Sequence, residues 1–312
     1  MPEMIATRDA YGKVLVQLGE EFPNIVVLDG DLWNSTKTEE FRKRFPERFF
    51  DMGIAEQNMF AVASGLALSG KIPFVSTFAC FGHRAWEQIR VSICIQDAHV
   101  KMVTTHAGIS VGEDGHTAQM MEDLAAMRVL PRLTVIAPAD AVETEKAVRA
   151  IVTHPAPCWV RLGRAKVPVL FGLDYDFRVG KAALLREGKD VTLVACGLML
   201  AEALKAAETL ATEGLQAAVI NMSTIKPLDV ETLVHWARAT GCVVTAEEHQ
   251  ITGGLGGAVA EALGEHCPVP LERVGMRDCF GESGPPDELL VKYGFTSKEI
   301  ISAAHKAISR KP

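Results

Sequence analysis

Short β-branched and aromatic runs alternate along this chain with longer segments of helical period, and that alternation restricts the fold more than any single residue does. The runs Asn24–Leu28, Arg48–Phe50, Ile72–Ser76, Val100–Thr104, Leu133–Ile136 and Cys158–Arg161 are interleaved with helical patterns at Ala55–Leu68, Arg84–Ile95, Thr117–Arg128 and Ala141–Thr153. Strands joined through helices run parallel, and a parallel sheet buries both faces under those helices. A second set of runs, Val191–Ala195, Ala217–Asn221, Cys242–Ala246 and Leu271–Val274, repeats the pattern with helices expected at Ala201–Thr212, Val230–Ala239, Leu255–Leu263 and Ser297–Ile308. Between the two sets, the stretch from Val167 to Asp176 breaks the rhythm with proline, glycine and acidic residues. The sequence therefore predicts an α/β chain of two doubly wound domains, 1–166 and 190–312, joined by a linker over 167–189.

Composition closes off several functions. With 312 residues, 48% of them hydrophobic and 23% charged, the chain can bury two cores. Its net charge of -7 argues against nucleic acid or an anionic membrane as partner, because a phosphate-tracking face needs clustered Lys and Arg. Met1-Pro2-Glu3-Met4 lacks a basic stretch leading into an apolar one, and Ser64, Gly65, Ser69, Gly70, Lys71 and Pro73 interrupt the segment Ala61–Val75. Neither a signal peptide nor a membrane span is expected, and the expected location is the cytoplasm. The seven cysteines are scattered and never form Cys-x-x-Cys, which suits free thiols in a reducing compartment. No Cys or His falls at metal-ligand spacing, so no metal site built from this chain's own residues is expected.

Several motifs fail on inspection. Gly65-Leu66-Ala67-Leu68-Ser69-Gly70-Lys71-Ile72 nearly spells a phosphate loop, but Ile72 replaces the metal-binding hydroxyl and the order is helix then strand. Gly253-Gly254-Leu255-Gly256-Gly257 has Val259 where a dinucleotide fingerprint needs its third glycine. Neither Gly-x-Ser-x-Gly nor His-Glu-x-x-His occurs. Gly53-Ile54-Ala55-Glu56-Gln57-Asn58 is different: it follows a strand-like run and opens an apolar helix. Glu56 there either stabilises a helix N-terminus through the macrodipole and free N–H groups, or serves as a proton handle at a strand-to-helix junction.

Glu56 stands in an ordered series with Ala6-Thr7-Arg8, Asp31-Leu32-Trp33-Asn34-Ser35-Thr36, Ser76-Thr77-Phe78-Ala79-Cys80-Phe81, and Thr105-His106-Ala107-Gly108 running into Val111-Gly112-Glu113-Asp114-Gly115. On these segments the chain resembles the transketolase family of thiamine diphosphate enzymes, over essentially its whole length but only across that family's pyrimidine-binding and C-terminal domains. The resemblance implies the C-terminal subunit of a split transketolase, which moves a two-carbon ketol unit from a ketose phosphate to an aldose phosphate. In the family a first domain holds the diphosphate and its magnesium through Gly-Asp-Gly and a downstream Asn. Here Leu28-Asp29-Gly30-Asp31 has leucine where the first glycine belongs. Thiamine diphosphate, with Mg2+ or Ca2+, is therefore expected to be anchored mainly by a separate N-terminal subunit in an α2β2 assembly.

The resemblance also assigns roles. Glu56 matches the carboxyl group opposite the pyrimidine N1′ atom, with Ile54, Met59 and Phe78 as desolvating neighbours. Phe78 and Phe81 match rings that stack on the pyrimidine, although as a pair at spacing three they also suit ordinary core. Arg84 falls where a third aromatic is usual. Arg8, Ser35 and Arg164 match phosphate-binding positions; without the resemblance the arginines read as solvated charges and Ser35 as an N-cap for a helix over Thr36–Phe45. His106 and Asp114 match residues contacting donor hydroxyls, with His106 implied in proton transfer, and Asp31 matches an acid near cofactor and sugar. A second family histidine is replaced by Ala118, with His116 two residues earlier. Glu247-Glu248-His249 reads as a structural strand end. The rivals are the β subunit of a 2-oxo acid dehydrogenase, a deoxyxylulose phosphate synthase-like enzyme, and a non-catalytic assembly subunit.

Overall fold

The computed structural model describes residues 3–312 and realises the first set of runs as a single sheet. In chain order its first eight strands are Met4–Ala6 (β1), Ile25–Asp29 (β2), Phe49–Asp51 (β3), Ile72–Phe78 (β4), Lys101–Thr105 (β5), Thr134–Ile136 (β6), Cys158–Arg161 (β7) and Lys166–Pro168 (β8). Every residue of β2, β4 and β5 is buried, as a parallel sheet sandwiched between helices requires. Along the order β6-β7-β5-β4-β2-β3 all neighbours are parallel. The chain goes from β2 outward to β3 and then returns to β4 on the other side of β2. That reversal leaves a crevice at the carboxyl ends of β2 and β4, where open α/β sheets bind ligands.

The second set forms a sheet of five strands, from Ala183–Arg186 (β9), Val191–Ala195 (β10), Ala217–Asn221 (β11), Val243–Gln250 (β13) and Leu271–Met276 (β14), in the order β14-β13-β10-β11-β9. The intervening strand Thr224–Lys226 (β12) crosses over and pairs antiparallel with β6, so the second half of the chain edges the first sheet. Both sheets are doubly wound, as the alternation predicts.

The segment 167–189, expected as a linker, carries paired strands. β8 pairs antiparallel with β1, and β9 forms the antiparallel edge of the second sheet. Between them, the N–H groups of Leu170 and Phe171 donate to Asp140 Oδ2 at 2.6 and 2.9 Å. The same carboxylate caps the helix Ala141–Thr153 through the Glu143 N–H at 2.7 Å, so one buried side chain both starts a helix and ties down the connection.

Three helical readings also change. Thr7–Glu21 is a helix that the runs did not signal; its buried stripe of Tyr11, Val14, Leu15 and Leu18 is diluted by Gly12 and Gly19. Over Arg84–Ile95 the chain winds through a 3-10 turn, one α turn and a wider π-type turn. Only Asp123–Arg128 of the expected helix Thr117–Arg128 forms, because Gln119 donates to the carbonyls of Gly112 and Glu282 at 3.1 and 2.9 Å and holds the preceding residues as a loop.

The two halves are joined by buried charge. Arg161, on β7, donates through Nε to both Asp123 oxygens at 2.9 Å and through Nη2 to the Glu248 carbonyl at 2.7 Å. Glu248 Oε1 accepts from the Ser110 N–H at 2.7 Å. Gly108, at φ +94°, passes so close that a Cβ there would meet the Glu248 carboxyl at 2.2 Å. Glu247 accepts from the N–H groups of Leu255 and Gly256 at 2.6 and 2.7 Å, closing the N-terminus of the helix Leu255–His266. Glu247-Glu248-His249 is thus bonded into the fold. Among the described residues no helix is long and apolar enough to cross a membrane, and all seven cysteines are free thiols.

Candidate functional site

Most of the site residues singled out from sequence follow the carboxyl ends of neighbouring strands of the first sheet, β7, β5, β4, β2 and β3, and Arg8 stands in the helix after β1. After β3 the chain turns at Gly53, whose φ of +66° favours a residue without Cβ, and enters the helix Glu56–Leu68. That helix buries Glu56, Met59, Phe60, Ala63 and Ser64, a stripe of helical period seated against the sheet. Glu56, in the first turn, is therefore drawn inward and is only 5% exposed. Ile54 is 79% exposed and does not desolvate it, contrary to expectation; the seat of the helix does. Glu56 Oε1 accepts from Arg84 Nη1 at 3.0 Å.

Phe78 ends β4 and Phe81 follows one turn later, their rings nearly parallel with centroids 5.4 Å apart. Phe78 also stacks on the His106 imidazole at 3.7 Å. Phe81 carries the Arg84 guanidinium 4.7 Å above its ring. His106 follows β5 at φ +57°, a left-handed conformation that a non-glycine residue rarely takes and that aims it back over the strand ends. Its Nε2 faces Arg8 Nη1 at 3.2 Å and its Nδ1 faces Thr105 Oγ1 at 2.8 Å. An arginine nitrogen only donates, so Nε2 is the acceptor and the ring proton sits on Nδ1, donated to Thr105.

Burial, reinforced by the positive fields of Arg8, Arg164 and Lys37, lowers the His106 pKa to about 3. The imidazole is accordingly neutral throughout the ordinary working range. Because the unfolded chain binds this proton below the ordinary value of 6.5 while the folded chain refuses it, the stability tied to His106 is complete above pH 6.5 and is lost as pH falls toward 3. The expected slope in that window is up to about 1.4 kcal/mol per pH unit. An NMR titration of the ring showing protonation near pH 6.5 in the folded protein contradicts this assignment.

Arg8, in the first turn of the helix Thr7–Glu21, donates to the Ser35 carbonyl at 3.0 Å and leaves its buried Nε without a partner. Burial lowers its pKa, with Arg164 also repelling its charge. Arg164 follows β7; its Nη1 donates to the Val111 carbonyl at 2.5 Å and to Glu113 Oε2 at 3.1 Å. Asp114 is exposed and near enough to act electrostatically on Arg8. Asp31 is exposed at φ +60° just beyond β2. Ser35 is not an N-cap: it lies inside a short helix, Trp33–Thr36, and the chain turns left-handed at Lys37 before the next one, Glu39–Arg44. Ala118 is buried and His116 exposed.

Sequence reading missed three contributors. Thr105 fixes the His106 tautomer, Lys37 adds to the positive field, and Thr7 Oγ1 accepts from the Gly163 N–H at 3.0 Å, holding the turn that presents Arg164. Thr7 and Thr105 each adjoin a residue that was singled out, which was the only signal available. Asp29 is fully buried, with its oxygens accepting from the Leu32 N–H at 2.7 Å and from the Thr36 and Thr38 hydroxyls at 2.7 and 2.9 Å. Burial raises its pKa to about 6. Thr77 Oγ1, beside Gly30 at the β2/β4 crevice, is buried without a partner.

The chain is similar to known proteins along both of its halves. Residues 3–169 match the family described as transketolase, pyrimidine binding domain, and residues 180–300 match transketolase, C-terminal domain. The chain is 45% identical over 305 residues to a 6-deoxy-6-sulfo-D-fructose transketolase subunit, SqwH, of a Clostridium species, covering 97% of this chain and 95% of that one. It is 45% identical over 297 residues to a putative transketolase C-terminal section of Methanocaldococcus jannaschii, covering 94% and 93%. A solved structure, described as a split gene transketolase in an inactive beta4 tetramer, superposes with a TM-score of 0.93 at 54% identity, covering 99% of this chain and 100% of that one. The chain belongs to the transketolase family and corresponds along its length to that family's pyrimidine-binding and C-terminal domains.

Proposed function

We propose that this chain is the C-terminal subunit of a two-chain, thiamine diphosphate-dependent transketolase that transfers a two-carbon ketol unit from a ketose phosphate to an aldose phosphate. The observation that carries the reading is the inward-drawn Glu56 carboxyl, bonded to the Arg84 guanidinium that lies over the Phe81 ring, with the positive fields of Arg8, Arg164 and Lys37 acting on His106. These residues fit the pyrimidine half of the cofactor: a carboxyl for N1′, a phenyl face, and an unpartnered Thr77 hydroxyl in the crevice. The metal half is not matched in the same way. Leu28-Asp29-Gly30 comes nearest to a Gly-Asp-Gly pattern here, and both oxygens of Asp29 are already committed to Leu32, Thr36 and Thr38. The diphosphate and its Mg2+ or Ca2+ are therefore assigned mainly to an N-terminal partner, in an α2β2 assembly.

When bound, thiamine diphosphate supplies the nucleophilic carbon that accepts and releases the two-carbon unit. Glu56 holds a proton in exchange with the pyrimidine N1′ atom, a task for which a buried carboxyl at the end of a rigid helix is well placed. Phe81 offers the stacking face, whereas Phe78 chiefly fixes the His106 ring. Arg8 and Arg164 bind the anionic end of the sugar. As Arg8 turns to that anion, the neutral His106 Nε2 is freed to accept a hydrogen bond from a donor hydroxyl, with exposed Asp114 and Asp31 as further hydroxyl partners.

The test is to co-express the chain with an N-terminal transketolase half and assay ketol transfer from xylulose 5-phosphate with thiamine diphosphate and magnesium. Turnover is expected from the assembly and not from this chain alone. Consumption of pyruvate without ketol transfer would instead identify a 2-oxo acid dehydrogenase subunit. In the active assembly, Arg164→Ala is expected to raise KM for phosphorylated sugars by about 10- to 100-fold, the loss of one charge-assisted contact, while kcat changes little. An unchanged KM removes Arg164 from the phosphate site.

A further inference from the structure

Two contacts fix Arg84. Its Nη1 donates to Glu56 Oε1 at 3.0 Å, and its guanidinium stands 4.7 Å above the Phe81 ring. A guanidinium is a flat cation with N–H groups along its edge. A protonated aminopyrimidine has the same two attributes, a flat π-face and an N–H directed at a carboxylate. Resting on the thiamine reading above, we propose that Arg84 competes with the aminopyrimidine of thiamine diphosphate for Glu56 and Phe81, so that the cofactor enters by displacing a side chain of this subunit.

The two occupants exclude each other sterically and electrostatically. One face of Phe81 cannot stack on two flat groups at the same height, and Glu56, only 5% exposed, presents little carboxylate surface beyond what Arg84 covers. Arg84 is also free to leave. Its side chain is 53% exposed and makes no other hydrogen bond or ion pair among the described residues. Its backbone lies in the short turn His83–Ala85, anchored by the fully buried Ala85, so the displacement is confined to the side chain. Where the family pattern calls for a third aromatic wall, this chain thus carries a removable cationic one.

The experiment titrates thiamine diphosphate, with Mg2+, into the assembly formed with the N-terminal subunit and follows binding by calorimetry. Arg84→Ala is expected to lower Kd by about tenfold, the equivalent of about 1.4 kcal/mol. Arg84→Gln, which keeps a polar, unbranched side chain but removes its charge, is expected to shift Kd in the same direction, separating lost competition from the packing change of a truncation to alanine. Equal or weaker binding by both variants, with the unsubstituted assembly binding normally, overturns the competition and leaves the thiamine reading standing. Absence of binding by all three assemblies overturns both.

Discussion

Replacing Glu56 by glutamine in the two-chain assembly is expected to lower turnover by about 10²- to 10⁴-fold, the usual range for a lost proton-transfer group. Cofactor affinity should stay within a few-fold, because glutamine keeps the shape and still accepts a hydrogen bond. The split between kcat and Kd is the diagnostic. Glu56 begins the helix Glu56–Leu68, where a carboxylate also steadies the N-terminus by about 0.3–1 kcal/mol. A purely structural glutamate would therefore give a small drop in thermal stability and full activity. Steady-state rates beside thiamine diphosphate titrations distinguish the two, and a Glu56→Gln assembly with unimpaired turnover would end the assignment.

Asp123→Ala is expected to cost about 3–5 kcal/mol of unfolding free energy, a large part of what a domain has. Asp123 is fully buried and receives both of its bonds from Arg161, itself 8% exposed. Removing the carboxylate strands a guanidinium between the two halves of the chain, with Glu248 Oε2 4.0 Å away as its remaining counter-charge. Urea unfolding measures the loss. The double variant Asp123→Ala, Arg161→Met removes both charges and is expected to recover a substantial part of it, since an uncompensated buried charge costs more than an absent pair. If the double variant is as unstable as the single one, the defect is packing and not charge. Activity should fall with stability in the single variant, because Arg161 ends the strand that leads through Gly163 to Arg164.

Much of the candidate site could be proposed from sequence because it is written in short contiguous segments at strand ends. Phe78, Phe81, His106 and Glu56 each lie within a few residues of the end of a β-rich run, and an α/β sheet aligns such ends on one edge. The strands of both sheets could be read for the same reason, since burial on both faces forces near-continuous apolar runs. Short edge strands have no such requirement. β8, β9 and β12 are only three or four residues long, and β8 and β9 are largely exposed or half-buried, so they looked like connection. The helix Thr7–Glu21 escaped notice because glycines share its buried stripe, and the loop 117–122 was misread because the Gln119 side chain ties it to the carbonyls of Gly112 and Glu282, contacts that local periodicity does not show.

By itself the sequence determined the architecture, the family, and which carboxylate, rings and cations to examine, because periodicity and local motifs encode whatever depends on neighbours along the chain. Only the tertiary structure decided how those groups face one another. It placed Arg84 on Glu56, set the His106 tautomer through Arg8 and Thr105, turned Ile54 outward, and committed Asp29 to its own loop. Each of these is a contact whose geometry is fixed by the packing of separate strands and helices, and no local propensity carries that information.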